Sequence, residues 1–453
     1  MPPLVRVMRR FTASAITQNS NLHLRTISNA AGKTIESNDR VPGALAGIKI
    51  LDLSRVLAAP FCTQILADYG AQVIKIEDVA KGDETRGWKA QGEEDAWKSE
   101  YGPMSNYFAG VNRNKRSICL DLKHEKGKEI FMKLAKEADV IIENFKPGTM
   151  DRLGLGYEFV KNINRRVIYA TLSGYGPEGP YADRGGYDMI AAAEGGLLHV
   201  TGPRNGSPVR CGLGVTDIST GLFLHGAILA AIYSRERTGL GQRVDSSLFE
   251  TQLAMLTNVG MGWLNMGLEA ERWGCQHPSI VPYDAFKTKD LYFVCGAAND
   301  GQFKALCRVL GLQALVQDDR YTTNAKRVEN RDSLLSTLNE VLLTKTTDEW
   351  LALFRKSGLP HAPINTIERA FAHPQAEARN MTFNVDFEPA KSGKLTMIGP
   401  PVSFSEDKPL FYSKPPLLGE HTLDILREIG ISETEIDDLK ACKVVREQTK
   451  GIQ

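Results

Sequence analysis

The sequence predicts an α/β fold in which a doubly wound parallel sheet forms a large first domain and a smaller α+β domain follows. Short runs rich in Val and Ile recur after Pro42-Gly43 and alternate with segments of helical spacing. Farther along, short strands and helices follow one another less regularly. Strands that alternate with helices form βαβ units, whose strands lie parallel and whose helices cover both faces of the sheet. Such a sheet binds ligands beyond the carboxyl ends of its strands.

The elements of the first domain are short apolar strands and longer amphipathic helices. We expect strands at 48–53, 72–77, 140–145 and 167–172. We expect helices at 61–69 and 127–138, and a third that runs from Asp217 to about Arg235. The strand runs are short and rich in β-branched residues, whereas the helical segments carry apolar residues at helical spacing.

Changes in composition divide the rest of the chain. A Leu- and Met-rich helical segment at 246–266 leaves the first domain, and strand 291–295 and helix 303–310 indicate a smaller one. A Pro- and Gly-rich link at 358–363 precedes a C-terminal part that ends in a charged helix, 421–429. We therefore expect a leader (1–44), a large Rossmann-like domain (45–248), a linker helix (249–274), a small domain (275–342), a second linker (343–370) and a C-terminal segment that returns to the large domain (371–453).

The first 44 residues have the composition of a targeting segment. Four arginines precede Glu36, which is the first acidic residue, and Ser and Thr are frequent. A basic, Ser-rich and acid-poor segment without a continuous apolar run is typical of a mitochondrial transit peptide and not of a secretory signal. We therefore expect the protein in the mitochondrial matrix, with a disordered cytosolic extension as the alternative.

Several classes of partner are disfavoured. A formal net charge of +1 lacks the basic excess of a nucleic-acid surface. The apolar stretch from Leu222 to Tyr233 is shorter than the roughly 20 residues of a bilayer span and contains His225, so we expect a buried helix and no membrane partner. No Cys or His residues have the spacing of a metal site, and no metal is expected.

One dinucleotide motif is misleading. Residues 174–179, Gly-Tyr-Gly-Pro-Glu-Gly, satisfy G-x-G-x-x-G and follow a predicted strand. However, Pro177 and Pro180 prevent the helix whose N-terminus would bind the pyrophosphate. We expect a loop here and neither NAD nor FAD.

Polar segments at the predicted strand ends carry the strongest signal. They are Asp52-Leu-Ser-Arg-Val-Leu-Ala-Ala-Pro60, Asn112-Arg-Asn-Lys-Arg-Ser-Ile-Cys-Leu-Asp-Leu-Lys123, Glu143-Asn-Phe-Lys-Pro-Gly148 with Arg152, Gly212-Leu-Gly-Val-Thr-Asp-Ile-Ser-Thr-Gly221 and Pro416-Leu-Leu-Gly-Glu-His421. In this order they resemble the class III CoA-transferases, which include formyl-CoA transferase and carnitine CoA-transferase. The resemblance extends from about Leu45 to Val445 and implies an enzyme that moves CoA between carboxylic acids.

The resemblance implies that Asp217 is the catalytic nucleophile, acting through a covalent aspartyl intermediate. The residues agree, because Asp217 stands where a helix N-cap is expected and the positive end of the helix favours the ionised carboxylate that attacks a thioester. From the residues alone, a plain helix cap remains the alternative. Asp188, in Gly185-Gly-Tyr-Asp188, is expected to support the site or to cap a helix.

The resemblance also implies a CoA pocket formed by Arg55, Ala58, Lys123, Asn144, Phe145 and Arg152. Lys and Arg bind phosphates, and Phe145 offers an apolar surface to the adenine or the pantetheine arm. For Arg55, Lys123 and Arg152 the alternative to phosphate binding is a charged side chain that is solvated at the surface. CoA thioesters are then substrates, and no permanently bound cofactor is expected. Two departures are Asp78, where some members have a basic residue, and residues 277–282, which replace a tetraglycine loop.

The resemblance is greatest to mitochondrial members that use succinyl-CoA, which implies succinyl-CoA as donor and glutarate or a related dicarboxylate as acceptor. The distal carboxylate of such an acid needs a cation, and the candidates, among which the sequence does not choose, are Arg113, Arg116, Arg184 and Arg210. Two alternatives are a 2-methylacyl-CoA racemase and a non-catalytic CoA-binding protein. The racemase is disfavoured, because Tyr187 and Asn299 stand where racemases have His and Glu.

The resemblance finally implies a ring-shaped subunit in an interlocked homodimer. In this sequence two long connectors bracket the second domain, and Pro416–His421 follows both. A chain that leaves its first domain and returns can enclose a hole, which a second copy would fill.

Overall fold

The computed structural model of the chain describes residues 43–407 and 411–448. The predicted leader, 1–44, lies outside them except for its last two residues. The described residues form two compact units. The first contains 43–172, 221–245 and the described part of 384–448, and the second contains 173–220 and 246–383.

These divisions place both expected linkers, 249–274 and 343–370, inside the second unit. They also differ from the expected boundaries in residues 173–220, which the sequence analysis places in the large domain. These residues pack instead with the second unit. The N–H of Phe249 donates to the carbonyl of Gly174 (3.0 Å), and the hydroxyl of Thr216 donates to Gln252 (2.8 Å).

The strands are β1 (Lys49–Asp52), β2 (Gln72–Glu77), β3 (Lys115–Leu120), β4 (Val140–Glu143), β5 (Ile168–Ser173), β6 (Arg243–Ser247), β7 (Tyr283–Lys287), β8 (Tyr292–Gly296), β9 (His361–Pro363), β10 (Thr382–Asp386), β11 (Lys394–Ile398) and β12 (Val445–Arg446). The helices are α1 (Ala58–Asp68), α2 (Asn106–Gly110), α3 (Glu125–Glu137), α4 (Thr149–Arg152), α5 (Tyr157–Ile163), α6 (Asp188–Glu194), α7 (Leu197–Val200), α8 (Val215–Thr238), α9 (Leu248–Met255), α10 (Thr257–Met266), α11 (Asp300–Leu310), α12 (Asn324–Glu329), α13 (Arg331–Leu342), α14 (Thr347–Phe354), α15 (Ile367–Phe371), α16 (Pro374–Ala378), α17 (Thr422–Glu428) and α18 (Glu433–Ala441). Short 3-10 helices span Glu84–Gly87, Glu94–Ala96, Ser99–Tyr101 and Gln313–Val316.

A seven-stranded sheet forms the first unit, in the order β12-β3-β2-β1-β4-β5-β6. Strands β1 to β5 pair in parallel, and β12 lies antiparallel to β3. Phe131 and Leu134 of α3 and Ile425 of α17 pack in the apolar core together with strand residues such as Ile141. The predicted mixed α/β fold with a large, mostly parallel sheet is confirmed.

The four predicted strands of this sheet are present. Strands β6 and β12 were not predicted, and neither was β3. Its first residues, Lys115 and Arg116, make it look like a surface segment. Lys115 is nevertheless buried, because its ammonium lies 2.9 Å from the carboxylate of Asp52. The segment 246–266, expected as one helix, divides into α9 and α10 at Leu256.

Helix α8 contains the apolar stretch that was expected to be buried. Leu224 and Ile228 are fully buried, but Phe223 and Tyr233 are more than half exposed. At 24 residues it is the one helix among the described residues that length and composition would allow to cross a membrane. Arg235 near its end is buried and pairs with Asp139 at 2.9 Å, so this part of the helix is packed into the first unit.

The second unit contains the smaller antiparallel sheet, in the order β7-β8-β9. Phe286 and Phe293 of this sheet pack with Leu306 of α11, Leu338 of α13 and Trp350 of α14. The predicted smaller sheet-containing body is therefore present, and its described part extends to residue 383.

Candidate active site

Asp217 is the third residue of α8 and not its N-cap. The helix begins at Val215, two residues earlier than the sequence predicts. The cap is supplied from elsewhere in the chain, because one carboxylate oxygen of Asp188 accepts the N–H groups of Thr216 (2.9 Å) and Asp217 (3.2 Å). Asp188 itself opens α6. It therefore performs the capping role expected for it, on the helix that carries Asp217.

The environment of Asp217 raises the pKa of its carboxyl group. Burial is the larger cause and the charge of Asp188 the smaller, and together they raise the pKa to about 7. The sequence analysis anticipated only the opposite influence, the positive helix end. At neutral pH a group with this pKa is divided between its two forms, so it can act as a nucleophile without being strongly stabilised as an anion.

Buried hydrogen bonds fix the first turn of α8. The hydroxyl of Thr216 donates to the side chain of Gln252 on α9 (2.8 Å), and the hydroxyl of Thr220 donates to the carbonyl of Thr216 (2.7 Å). Thr216, Thr220 and Gln252 are completely buried. The amide nitrogen of Gln252 has no hydrogen-bond partner among the residues that the structure describes. The backbone beside Asp217 is therefore held by side chains from two other helices, α6 and α9.

In the first unit, the neighbouring strands β1 and β4 bring three of the predicted CoA residues together. The N–H of Arg55 donates to Oδ1 of Asn144 (2.9 Å), and the Asn144 amide donates back to the carbonyl of Arg55 (2.8 Å). The Arg55 guanidinium lies 5.2 Å from the centre of the Phe145 ring. A cation and an aromatic face therefore stand side by side at the carboxyl ends of adjacent parallel strands.

The other predicted CoA residues lie at the same edge of the sheet. Ala58 is the buried first residue of α1, and its carbonyl is closely approached by Gly221, where a Cβ would lie 2.4 Å from the oxygen. Lys123 follows β3 and is exposed. Arg152 ends α4, is exposed, and donates to the hydroxyl of Thr149 (3.1 Å). Lys123 and Arg152 form hydrogen bonds with residues close to them in the chain, Asp121 and Thr149, and among the described residues no hydrogen bond joins either of them to Arg55.

Sequence reasoning missed Glu143, which ends β4. Its carboxylate accepts the N–H of Phe145 (2.6 Å), and burial raises its pKa to about 7. It also missed Lys75, which is buried in β2 and pairs with Asp83 at 3.0 Å. A lysine within the apolar run Gln72–Glu77 was the available signal, since a buried ammonium requires a partner.

Three of the four arginines proposed for an acceptor carboxylate are already paired. Arg113 binds Asp68, Arg116 binds Glu428 and Arg184 binds Glu194. Arg210 is exposed, and no ion pair is found for it among the described residues. At the racemase positions, Tyr187 is exposed and Asn299 caps α11 by accepting the N–H of Gln302 (2.9 Å).

The chain is similar to known proteins over most of its length. The chain is 56% identical over 439 residues to an acyl-CoA transferase of Fusarium pseudograminearum, covering 97% of this chain and 96% of that protein. It is 44% identical over 385 residues to the human succinyl-CoA:glutarate CoA-transferase, covering 85% and 86%. A crystal structure of a CAIB/BAIF family protein from Brucella suis superposes with a TM-score of 0.78 at 39% identity, covering 86% of this chain and all of that one.

The family model of CoA-transferase family III matches residues 45–422. A match of this length includes both units, the Arg55–Asn144 pair and the first turn of α8. The chain therefore belongs to CoA-transferase family III.

Proposed function

We propose that this enzyme transfers CoA from succinyl-CoA to a dicarboxylic acid such as glutarate, with Asp217 as the nucleophile. The observation that carries the proposal is the carboxylate of Asp217, partly buried on a helix start that Asp188 caps, with a pKa near neutrality. The name of the human relative supports the choice of acids.

The proposed reaction proceeds in two acyl exchanges. A carboxylate oxygen of Asp217 attacks the thioester carbonyl, the carbon–sulfur bond breaks, and a mixed anhydride and CoA thiolate result. The thiolate then attacks the aspartyl carbonyl, which expels succinate and leaves an aspartyl-CoA thioester. The acceptor carboxylate repeats both steps in reverse and regenerates the Asp217 carboxylate. An anhydride hydrolyses readily, so exclusion of water is part of the mechanism.

CoA would be held by the residues at the strand ends of the first unit. Arg55, Lys123 and Arg152 supply positive charge for the phosphates, and Phe145 supplies an apolar face. Contacts remote from the reacting thioester can contribute binding energy that is used for positioning.

The test of the acids is a panel of free mono- and dicarboxylic acids assayed with succinyl-CoA, with the new acyl-CoA identified by mass. We expect dicarboxylates near the length of glutarate to be preferred. We assign their distal carboxylate to Arg210, since the other three candidates are paired. Arg210→Met should raise KM for glutarate about 10-fold or more. KM for succinyl-CoA, whose succinyl group also has a distal carboxylate, should rise less, because the CoA part supplies further binding contacts. Equal use of monocarboxylates by the unaltered enzyme would contradict the proposed substrate class.

The pKa of Asp217 predicts a pH dependence. The nucleophile must be ionised, so kcat/KM for succinyl-CoA should fall about tenfold per pH unit below about 7 and level off above it. Asp188→Asn keeps an oxygen that can cap α8 but removes the negative charge, so the acidic limb should move to lower pH. The measurement is kcat/KM between pH 5 and pH 9 for both proteins. An acidic limb that stays in place would mean that Asp188 does not act on Asp217 through its charge.

We also propose a homodimer, interlocked as the family resemblance implies. The proposal is supported by large apolar side chains left exposed on two helices. Phe223 and Tyr233 on α8 are 56% and 68% exposed, and Trp263 and Leu264 on α10 are 56% and 78% exposed. Monomeric proteins rarely leave extensive apolar surface in water. Equilibrium sedimentation should give about twice the chain mass of 49.9 kDa, with no active monomer on dilution.

The composition of residues 1–44 supports a location in the mitochondrial matrix. N-terminal sequencing of the protein from isolated mitochondria should then find a start between about Ser28 and Ala44. Recovery of residues 1–20 on that protein would contradict it.

A further inference from the structure

Val56 has an unfavourable backbone conformation. Its φ is +71°, in the left-handed region, where β-branched residues are rarely found. Glycine would adopt this conformation without steric cost. Strain of this kind persists only where the surroundings impose it, and it concentrates at ligand sites. Val56 lies in the loop between β1 and α1, residues 53–57, directly after Arg55.

A buried ion pair binds the backbone beside Val56. The ammonium of Lys75 donates to the carbonyl of Ser54 (2.7 Å) and lies 3.0 Å from one carboxylate oxygen of Asp83. The other oxygen of Asp83 accepts the N–H of Val56 (3.3 Å). Both charged side chains are completely buried. The same ion pair therefore binds the chain immediately before and immediately after Arg55.

Further contacts orient the peptide and the side chain of Arg55. Asn144 binds both the N–H and the carbonyl of Arg55, and one guanidinium nitrogen pairs with Glu84 at 2.5 Å. The Nε of Arg55 is shielded from solvent and has no hydrogen-bond partner among the described residues. A donor that is shielded from solvent and has no acceptor costs the protein free energy unless a ligand supplies the acceptor.

We propose that the Lys75–Asp83 pair holds Val56 in its strained conformation so that Arg55 is oriented in advance for a phosphate group of the CoA thioester. Lys75 and Asp83 are then positioning residues for acyl-CoA binding, and they act through the backbone of residues 54–56. This inference rests on the proposed function, because it requires that the loop bind CoA. It adds residues that make no contact with the ligand themselves.

The proposal differs from a purely structural role in one respect. If the ion pair only stabilised the fold, its loss would lower the stability of the protein by the same amount with Val or with Gly at position 56. If it restrains a strained loop, its loss lets Val56 relax to negative φ, and the adjoining peptide of Arg55 turns with it. A glycine at position 56 has no steric strain to release, so it should make the loop less dependent on the ion pair.

The experiment is a double-mutant cycle with Asp83→Asn and Val56→Gly. The Kd for free CoA is measured by calorimetry, and KM is measured for succinyl-CoA and for glutarate. Asp83→Asn should raise Kd and KM for the CoA ligands about 10-fold while KM for glutarate stays within about twofold. Val56→Gly alone should remain within about twofold of the parent protein, and the double variant should recover most of the loss. Asp68→Asn is the matched control, since it also breaks a buried ion pair, with Arg113, in the same unit. It should weaken the fold without changing the affinity for CoA.

Unchanged CoA affinity in Asp83→Asn, an equal loss in Asp68→Asn, or no recovery by Val56→Gly would each overturn the inference. If Asp83→Asn does not fold, the same cycle is made with Lys75→Met and Val56→Gly. If neither folds alone, recovery of folding and of CoA affinity by Val56→Gly becomes the readout, and its failure overturns the inference. Absence of CoA binding by the unaltered protein would instead refute the proposed function, and this inference with it.

Discussion

Replacement of Asp217 by Ala should reduce CoA transfer by at least about 10³-fold, the scale of effect when a covalent nucleophile is removed. The Kd for CoA should change little, because the candidate CoA residues lie at the strand ends of the first unit. The measurement is steady-state transfer from succinyl-CoA together with calorimetric CoA binding. A variant that kept more than a few per cent of its turnover would place the nucleophile elsewhere, and Asp188 would be the next carboxylate to test.

The covalent intermediate gives a second readout of the same prediction. Alkaline hydroxylamine should trap an aspartyl thioester on the peptide that contains Asp217 in the parent protein, and the Ala variant should yield none. Asp183→Ala is the matched control, since Asp183 is an exposed aspartate in the loop before α6. It should retain both transfer and trapping. Failure to trap any adduct on the parent protein would favour a CoA-binding protein without this chemistry.

Replacement of Arg86 by Met should destabilise the first unit by about 3–5 kcal/mol, because it leaves Glu77 buried without its partner. Arg86 is completely buried and binds Glu77 through two nitrogens, at 2.8 and 2.7 Å. It also donates to the carbonyl of Pro416 (3.1 Å), and its guanidinium stacks 3.6 Å from the centre of the Phe108 ring. One side chain thus connects β2, α2 and the C-terminal segment of the same unit.

Hydrogen exchange of first-unit peptides under increasing urea would measure this loss. Arg166→Met is the matched control, since Arg166 pairs with Glu236 on the surface and should contribute less than about 1 kcal/mol. Burial alone would raise the pKa of Glu77, but Arg86 and Lys75 hold it below its usual value. The pair therefore stabilises the fold above about pH 4, and the difference between parent and variant should narrow below that pH. Equal losses in the two variants would contradict this account of Arg86.

The parallel sheet could be predicted from the sequence because four of its strands are short runs rich in Val, Ile and Leu that alternate with helical segments. Strand β2 was placed at its observed ends, and β1, β4 and β5 within two residues of them. Strand β3 could not be predicted, since the burial of Lys115 depends on Asp52, which lies on another strand of the sheet. The assignment of residues 173–220 to the second unit depends on long-range contacts such as Thr216 with Gln252, which no local pattern reveals.

In the candidate site, too, some features can be predicted from short stretches of sequence, whereas others depend on residues that are distant in the chain. Asp217 was selected from the family resemblance, and its glycine-containing turn and predicted position at the start of a helix agreed with that choice. The raised pKa of Asp217 could not be predicted, because it depends first on the burial of the carboxyl group and then on Asp188, which lies on another helix. Likewise Arg55 was selected from a motif, whereas the ion pair that holds its loop joins residues of a different strand and turn. The role of Asp217 and those of the CoA residues stay predictions until the variants are made.

Under the proposed mechanism, the burial of the Asp217 carboxyl group beside Asp188 has a consequence for the stability of the enzyme between its catalytic steps. Because the folded protein raises the pKa of Asp217, ionising this group costs the fold stability as the pH rises from about 4 to about 7, on the order of 2–4 kcal/mol. An acyl or CoA group on Asp217 abolishes that charge. The covalently modified protein would then be the more heat-resistant form, and each completed turnover would return the chain to its less stable resting state.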